Sequence, residues 1–180
     1  MPSAITVGSF TTNLSFNSFL GLTNETGPNG DSLGIGYDAA ARPATTISPY
    51  GASTGFTYND TATPPTHIAM TNGHGTRTTL DGFGRTIKVE TGTGTAGNFT
   101  PVSVVDSVYD SCGCSPLGKL KQTSMRHAPG GSAVYTIYAY DGMGRTLTQT
   151  APDGSVTHYA YAGNSVSVTD PAGKWKQYYT

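Results

Sequence analysis

One short phrase recurs along the chain and sets the strongest limit on what it can fold into. Residues 79–87 read TLDGFGRTI and residues 139–147 read AYDGMGRTL, so both contain Asp-Gly-x-Gly-Arg-Thr before an apolar residue. Asp favours the start of a tight turn because its carboxylate accepts backbone N–H bonds, and Gly tolerates positive φ. A catalytic site is normally built once, whereas a repeated phrase indicates a repeated structural unit. We therefore interpret the phrase as a structural turn.

Five copies of the phrase can be aligned, with departures in some of them. Ala41 replaces Gly in the first copy, and Lys replaces Arg in the third and the fifth. The third copy reaches its Gly-Lys pair only after the insert 111–117. The predicted turn residues are, in chain order, Tyr37, Asp38, Arg42, Asp81, Gly84, Arg85, Tyr109, Asp110, Gly118, Lys119, Tyr140, Asp141, Gly144, Arg145, Asp170, Gly173 and Lys174.

The sequence around these phrases has the composition and periodicity of β-structure. The chain contains 29 Thr, 24 Gly and 11 Tyr but only two Glu, and Thr and Tyr favour strands while Gly favours turns. Segments such as 146–150 and 156–161 alternate between two faces and are separated by short turn signals. The sequence therefore predicts an all-β chain of tandem antiparallel hairpins that form an open, curved or spiral sheet.

Charge and hydropathy exclude two classes of partner. The formal net charge of −1 lacks the basic excess of a nucleic-acid-binding protein. No apolar run approaches the ~20 residues of a membrane-spanning helix, so no membrane insertion is expected.

With Tyr-Asp-x-x-Gly-Arg established, the chain resembles the Rhs/YD-repeat family, which includes bacterial toxin shells and the teneurin ectodomain. The best-matching copy runs from Tyr140 to Tyr161 and contains Tyr-Asp-Gly-Met-Gly-Arg followed by Pro-Asp-Gly. The resemblance covers roughly residues 31–180 and implies hairpins that wind side by side as part of a hollow YD shell.

The resemblance also implies a domain organisation and a function. Residues 1–30 are expected to form an N-terminal β segment and an incomplete repeat, and 31–180 a single hairpin array truncated at its C-terminal end. The expected function is that of a structural, non-enzymatic segment of a larger secreted or cell-surface protein whose shell encloses or displays a toxin or effector domain. The expected partners are further YD repeats of the same polypeptide and either a toxin domain or cell-surface glycans, with no cofactor.

The family also carries a self-cleavage signature, Asp-Pro-x-Gly-Leu, which the chain matches only in part. Residues 170–173 read DPAG, but Lys174 stands where Leu is expected, and the same residues form the fifth copy of the repeated phrase. We interpret them as a repeat turn and carry over no cleavage activity.

Other candidate sites have weaker support from spacing. Cys112 and Cys114 flank one glycine, and a disulfide between them, a metal site or two free thiols in a surface turn all remain open. Zinc needs about four ligands, and the four His residues show no ligand spacing, so no metal site is assigned. Gly92, Gly94 and Gly97 fit Gly-x-Gly-x-x-Gly, but no helix start follows, which favours a flexible loop.

Tyrosine enrichment in the last third of the chain leaves one rival function open. Aromatic rows can stack on sugars, so a carbohydrate-binding or adhesive β-repeat module is the alternative to a purely structural segment. Packing between neighbouring strands explains the same rings without a ligand. The tyrosines concerned are Tyr135, Tyr138, Tyr140, Tyr159, Tyr161, Tyr178 and Tyr179.

Overall fold

The computed structural model describes residues 2–112 and 114–179, without the side chain of Cys112. The described residues form strands, turns and loops and contain no helix, which confirms the predicted all-β class. The strands are β1 Ala4–Val7, β2 Phe10–Phe16, β3 Leu22–Thr26, β4 Ser32–Tyr37, β5 Pro43–Ile47, β6 Ser53–Asn59, β7 Thr66–Thr71, β8 His74–Leu80, β9 Thr86–Thr95, β10 Asn98–Cys112, β11 Ser115–Ser124, β12 Tyr135–Tyr140, β13 Thr146–Thr150, β14 Val156–Ala162, β15 Ser165–Thr169 and β16 Trp175–Tyr179.

The strand order in the sheet is the same as the strand order in the chain. Each strand is hydrogen-bonded to the strand before it and the strand after it, and β1 and β16 are the two edges. Pairings such as β12 with β13 and β14 with β15 are antiparallel, so consecutive strands form hairpins. The predicted array of tandem antiparallel hairpins in an open sheet is confirmed.

Within this order the chain divides into two compact units. Unit 1 comprises Met1–Arg77 and Thr91–Thr100, and unit 2 comprises Thr78–Glu90 and Pro101–Thr180. The predicted boundary between an N-terminal segment and the repeat array at residue 30 stays a prediction.

Few side chains are deeply buried in either unit. Among the described large apolar residues only Met70 in unit 1 and Val104 in unit 2 are classed as buried, at 8% and 4% exposure. Each hairpin therefore depends on its bonds and contacts with neighbouring hairpins, as expected for a repeat array.

The glycine-rich segment 92–97 differs from its prediction as a flexible loop. Gly92 and Gly94 lie within β9, and only residues 96 and 97 form the turn to β10. A Cβ at Gly92 would collide with the Thr100 carbonyl oxygen and lie 2.7 Å from the Phe99 ring. The prediction was wrong because these glycines serve the close approach of two paired strands, a role that glycine also has in strands.

Candidate functional site

Eight turns in the described chain share one hydrogen-bonded geometry. In each five-residue turn the first N–H donates to the carbonyl of the fifth residue, and the fourth N–H donates to the carbonyl of the first. This is the pattern of a type I turn followed by a residue in the left-handed region, one of the common hairpin connections. The turns are 17–21, 27–31, 38–42, 48–52, 81–85, 141–145, 151–155 and 170–174.

The fourth position of every one of these turns has positive φ. Gly84 and Gly144 have φ of 76° and 80°, and Leu20 and Ala41 adopt 67° and 61° without being glycine. Glycine is favoured at this position because a Cβ is crowded in the left-handed region. The predicted structural need for Gly84, Gly144 and Gly173 has a direct geometric explanation.

The aspartate that begins four of the turns holds them closed with its carboxylate. In the turn 141–145, Asp141 Oδ1 accepts N–H bonds from Met143 and Arg145, both at 2.9 Å. Asp141 Oδ2 accepts the Arg145 Nε–H at 2.7 Å. Asp38 and Asp81 make the same set of bonds with Arg42 and Arg85, and Asp170 accepts the two backbone N–H bonds.

The turn of the fifth phrase lies at the opposite end of the strands from the turns of the second and fourth phrases. β12 runs into turn 141–145, β13 runs back to turn 151–155, β14 returns, and β15 runs to turn 170–174. Asp170 is therefore equivalent to Ala151, the start of the Pro-Asp-Gly turn, and not to Asp141. The predicted equivalence of the fifth phrase with the others was wrong, because Asp-x-x-Gly forms this turn at either end of the strands.

A second contact connects each Arg with the next repeat. The Arg145 guanidinium lies over the Tyr161 ring with 4.5 Å from Cζ to the centroid. We name this contact, together with the Asp–Arg bond, the Arg–Tyr clamp. It recurs with Arg42 over Tyr58 at 4.0 Å and with Arg85 over Tyr109 at 4.5 Å.

The stacking partner differs from the sequence-based expectation. Because Tyr140 and Arg145 flank one turn, sequence proximity predicts that the ring and the guanidinium lie next to each other. In the structure Tyr140 instead lies under Lys119 of the preceding repeat, with 5.5 Å from Nζ to the ring centroid. The clamp therefore fixes one repeat to the next and is not internal to one turn.

Two of the clamp tyrosines, Tyr58 and Tyr161, make a further bond that sets the register between repeats. Tyr161 Oη–H donates to the carbonyl oxygen of Thr146, the residue directly after Arg145, at 3.0 Å. Tyr58 bonds in the same way to Pro43, after Arg42. Equivalent bonds join Tyr37 to Leu22 and Tyr140 to Leu120.

The third phrase has a modified arrangement. Asp110 and Lys119 face each other across β10 and β11, and Gly118 has φ of 72°. Asp110 Oδ1 accepts the Ser111 N–H, and its Oδ2 accepts the Lys121 ammonium at 2.8 Å. The insert thus extends a hairpin and replaces the tight turn.

The insert carries the two cysteines. Cys114 is disulfide-bonded. The side chain of Cys112 and all of Gly113 lie outside the described residues, so the pairing of Cys112 with Cys114 stays a prediction. Within the described part of the chain, no three His, Cys, Asp or Glu residues are grouped to hold a metal ion.

Three turns at 17–21, 27–31 and 48–52 were missed by sequence reasoning. They begin with Asn17, Gly27 and Ser48 and do not share the Asp-Gly-x-Gly-Arg spelling. The available signals were Pro-Asn-Gly at 28–30 and Pro-Tyr-Gly at 49–51, which are ordinary turn tripeptides. Asn17 Oδ1 takes the role of the Asp carboxylate by accepting the Gly21 N–H at 2.8 Å.

Electrostatics at the turns favour ionised aspartates. Hydrogen bonds from the backbone and the side chain of Arg145 hold the pKa of Asp141 below its usual range. Burial by itself raises the pKa of Asp81, but hydrogen bonds from Arg85 and Phe83 outweigh it, and the net shift of that pKa is downwards. The pKa of Asp38 is lowered chiefly by the Arg42 backbone N–H.

These pKa shifts predict acid sensitivity. Since Asp38, Asp81 and Asp141 have lower pKa values when folded than when unfolded, their stabilisation is present above about pH 4 and is lost as the pH falls through the folded values. We expect the melting temperature to fall steeply below about pH 4. Asp141→Asn should reduce that steepness when melting is followed between neutral and acid pH, and an unchanged profile would contradict the assignment.

The first turn offers a stabilising change. Ala41 has φ of 61°, a conformation that strains an L-residue, so Ala41→Gly should stabilise the protein by roughly 1 kcal/mol despite the greater freedom of glycine when unfolded. Ala40→Gly is the matched control, since Ala40 is not among the positive-φ residues of the described chain. It should destabilise by about 0.5–1 kcal/mol in the same denaturant titration. Equal effects of both changes would disprove the strain at Ala41.

The clamp hydroxyl provides another test. Tyr161→Phe removes the bond to the Thr146 carbonyl and should cost about 1 kcal/mol of unfolding free energy. Tyr159→Phe is the control, because the Tyr159 hydroxyl has no hydrogen bond recorded among the described residues. Chemical denaturation should show a lower free energy of unfolding for Tyr161→Phe than for Tyr159→Phe. Equal stability of the two variants would show that the Tyr161 hydroxyl bond does not stabilise the fold.

Comparison with known proteins agrees with this geometry. The chain is an all-β hairpin-repeat protein. Residues 140–174 match the family model described as RHS Repeat, and this match confirms the resemblance to the Rhs/YD-repeat family. No curated protein sequence matches the chain significantly.

A solved structure shares the fold. A chain in "Crystal Structure of TcdB2-TccC3" is similar over 89% of this chain at 14% identity with a TM-score of 0.68, and the matched region is 11% of that longer chain. "Crystal Structure of TcdB2-TccC3-Cdc42" and "Crystal Structure of TcdB2-TccC3 without hypervariable C-terminal region" each match at 10% identity. They cover 96% and 91% of this chain and 14% and 13% of theirs, with TM-scores of 0.32 and 0.31. No helix in the described residues is long and apolar enough to cross a membrane.

Proposed function

We propose that the chain is a structural, non-enzymatic segment of a larger Rhs/YD-repeat protein. The observation that carries this proposal is the recurrence of the Arg–Tyr clamp, with Arg42, Arg85 and Arg145 each contacting a tyrosine of the following repeat. A group that recurs in equivalent positions and bonds one repeat to the next has a mechanical role, since it uses the same types of side chain in three repeats.

The finer proposal concerns the larger protein. We infer a secreted or cell-surface shell in which further YD repeats continue the sheet and enclose or display a toxin or effector domain. The RHS repeat at 140–174 supports this by family resemblance. Protease protection tests it: in the full-length protein an enclosed domain should resist digestion until the shell is denatured. Digestion of that domain at the same rate in the native protein would contradict enclosure.

Repeat deletion tests the structural role directly. Tyr140 and Tyr161 occupy equivalent positions, so removing 141–161 deletes one turn, β13, turn 151–155 and most of β14 and leaves the strand directions intact. This variant should fold and melt cooperatively, with somewhat lower stability. Removing 141–150 deletes a turn and a single strand. This deletion reverses the direction of every later strand and moves Tyr161 to the opposite end of the strands.

The two deletions should therefore differ sharply in circular dichroism and in thermal unfolding. The in-phase deletion should retain the β-sheet spectrum and a single transition, whereas the single-strand deletion should lose both. If both variants unfold equally, the segments are not interchangeable structural units and the proposal is wrong.

A further inference from the structure

The two cysteines of the chain lie where β10 passes into β11, at the tip of the insert. Cys114 is disulfide-bonded and half-buried. The sequence contains one other cysteine, so a bond within the chain can join Cys114 only to Cys112. Such a bond closes a loop with a single intervening residue. The cross-link therefore acts on the tip of one hairpin.

The small size of this loop makes the disulfide a weak contributor to global stability. A disulfide stabilises a fold chiefly by restricting the unfolded chain, and the effect grows with the number of residues in the closed loop. The hairpin register already pairs Cys112 with Ser115, so folding closes nearly the same loop without the bond. The free energy of unfolding of the whole chain should therefore depend little on this disulfide.

The backbone next to the disulfide is irregular, and this gives the bond a local role. Asp110 pairs with Lys119, and the next pair toward the tip is Cys112 with Ser115. One residue of β10 thus lies opposite residues 116–118 of β11, which form a bulge. A bulge disrupts the hydrogen-bond ladder locally. Beyond the bulge the described register contains one residue pair, so the disulfide is the main further constraint on the tip.

The tip contacts the turns of the second and fourth phrases. A Cβ at Gly144 would lie 3.0 Å from Cys114 Sγ and 3.0 Å from Lys119 Cε, so the insert packs closely against turn 141–145. The Leu117 carbonyl, within the bulge, accepts the Arg85 Nη1–H from turn 81–85. The position of the tip therefore affects both neighbouring turns.

A reductant in solution can reach this region. Ser111, Pro116 and Leu117 around the tip are exposed. Structural disulfides resist reduction by glutathione, whereas exposed ones are more readily reduced and are the regulatory ones. Exposure and a minimal closed loop thus place this disulfide in the second class.

We propose that the bond between Cys112 and Cys114 is a redox switch for the insert. A dithiol reductant attacks one sulfur through its thiolate, and its second thiol then resolves the mixed disulfide. The reductant leaves as a cyclic disulfide, having supplied two electrons and two protons, and both cysteines become thiols. Reduction leaves the paired strands in place, frees the tip beyond the bulge and loosens turns 81–85 and 141–145.

Hydrogen–deuterium exchange measured by mass spectrometry tests the switch on the intact chain. The oxidised chain is compared with the chain reduced by dithiothreitol under native conditions. Amides of residues 115–120 should exchange about tenfold faster after reduction, with a smaller increase in turns 81–85 and 141–145. The hairpin formed by β14 and β15 lies away from the insert and should exchange at the same rate in both forms. Unchanged exchange in 115–120 overturns the inference.

A serine variant is the matched control for the reductant. Cys112→Ser combined with Cys114→Ser should exchange in 115–120 like the reduced parent and should not respond to dithiothreitol. The oxidised parent should be monomeric on a non-reducing gel, with a mass lower than the reduced parent by two hydrogen atoms. Disulfide-linked dimers, or a response of the serine variant to the reductant, contradict a switch within the chain.

Two further measurements separate the switch from a structural cross-link. Equilibration with mixtures of reduced and oxidised glutathione should convert the bond to thiols as the reduced form increases, and resistance at every ratio contradicts the proposal. The oxidised and reduced chains should both melt in one transition. Loss of that transition on reduction would make the disulfide a global cross-link, and unchanged exchange would remove the switch while the structural proposal for the repeats stands.

Discussion

Gly144→Val is expected to lower the free energy of unfolding by about 3 kcal/mol or more. Gly144 has φ of 80°, and a β-branched residue in that conformation is strained by about 1–3 kcal/mol. A Cβ at this position would also lie 3.0 Å from Cys114 Sγ and 3.0 Å from Lys119 Cε. Valine adds two methyl groups to that Cβ, so the neighbouring hairpin tip must move away.

The twin position gives a matched comparison. Gly84 has φ of 76° in an identical turn, but a Cβ there meets nothing within 4 Å. Gly84→Val should therefore cost only the backbone strain, about 1–3 kcal/mol, and should be clearly milder than Gly144→Val. The sequence alone predicts equal costs, since the two phrases are spelled alike.

A third glycine is the control for the loss of flexibility. Gly142 is not among the positive-φ residues, and a Cβ there meets nothing within 4 Å. Gly142→Ala should be neutral or stabilise by about 0.4–1 kcal/mol. Urea titration of the variants at positions 84, 142 and 144 measures all these effects, and Gly144→Val unfolding at the same midpoint as Gly84→Val would show that the tip of the insert does not rest on this turn.

Local chemistry explains how much of the fold the sequence predicted. Thr, Val and Tyr alternation and the Asp-x-x-Gly spelling act within a few residues, so the all-β class, the hairpins and the turns at Asp38, Asp81 and Asp141 could be predicted. The turn at Asn17 was missed because its amide replaces the carboxylate and Leu20 occupies the glycine position. All eight turns share the same backbone geometry, whereas their amino-acid sequences differ.

The Arg–Tyr clamp, and the end of the strands at which each turn lies, depend on contacts between strands that sequence spacing does not predict. Arg145 directly precedes β13, and Tyr161 lies on the neighbouring strand β14. The stacking partner therefore follows from strand pairing and not from the turn that links neighbouring residues. The incorrect alignment of Asp170 with Asp141 has the same origin, because the sequence of a turn does not indicate at which end of the strands the turn lies. The Tyr–Arg pair does indicate the end, since the contact requires both residues at the same end of neighbouring strands.

Arg85→Ala is expected to have the second large effect and to lower the melting temperature by roughly 5 °C or more. Arg85 holds Asp81 through Nε at 2.7 Å and Nη2 at 2.6 Å, and its Nη1–H donates to the Leu117 carbonyl. Its guanidinium also lies over the Tyr109 ring. One side chain thus connects its own turn, the following strand and the insert.

Removal of Arg85 leaves several groups without partners. The Asp81 carboxylate, whose side chain is 18% exposed, would keep its backbone N–H bonds but lose its counter-charge, and a partly buried charge without a partner is costly. The Leu117 carbonyl would lose its donor. Arg145→Ala should be milder, because the Arg145 side chain is 42% exposed and has no described contact with the insert.

Arg85→Lys distinguishes the planar guanidinium from its charge. Lysine retains the positive charge but cannot donate two N–H bonds to Asp81 while reaching Leu117 and stacking on Tyr109, so it should recover only part of the lost stability. Differential scanning calorimetry of Arg85→Ala, Arg85→Lys and Arg145→Ala should rank their melting temperatures in the order Arg85→Ala lowest, then Arg85→Lys, then Arg145→Ala. If Arg145→Ala melts at or below Arg85→Ala, the additional contacts of Arg85 with the insert contribute nothing, and each clamp acts only between its own turn and the next tyrosine.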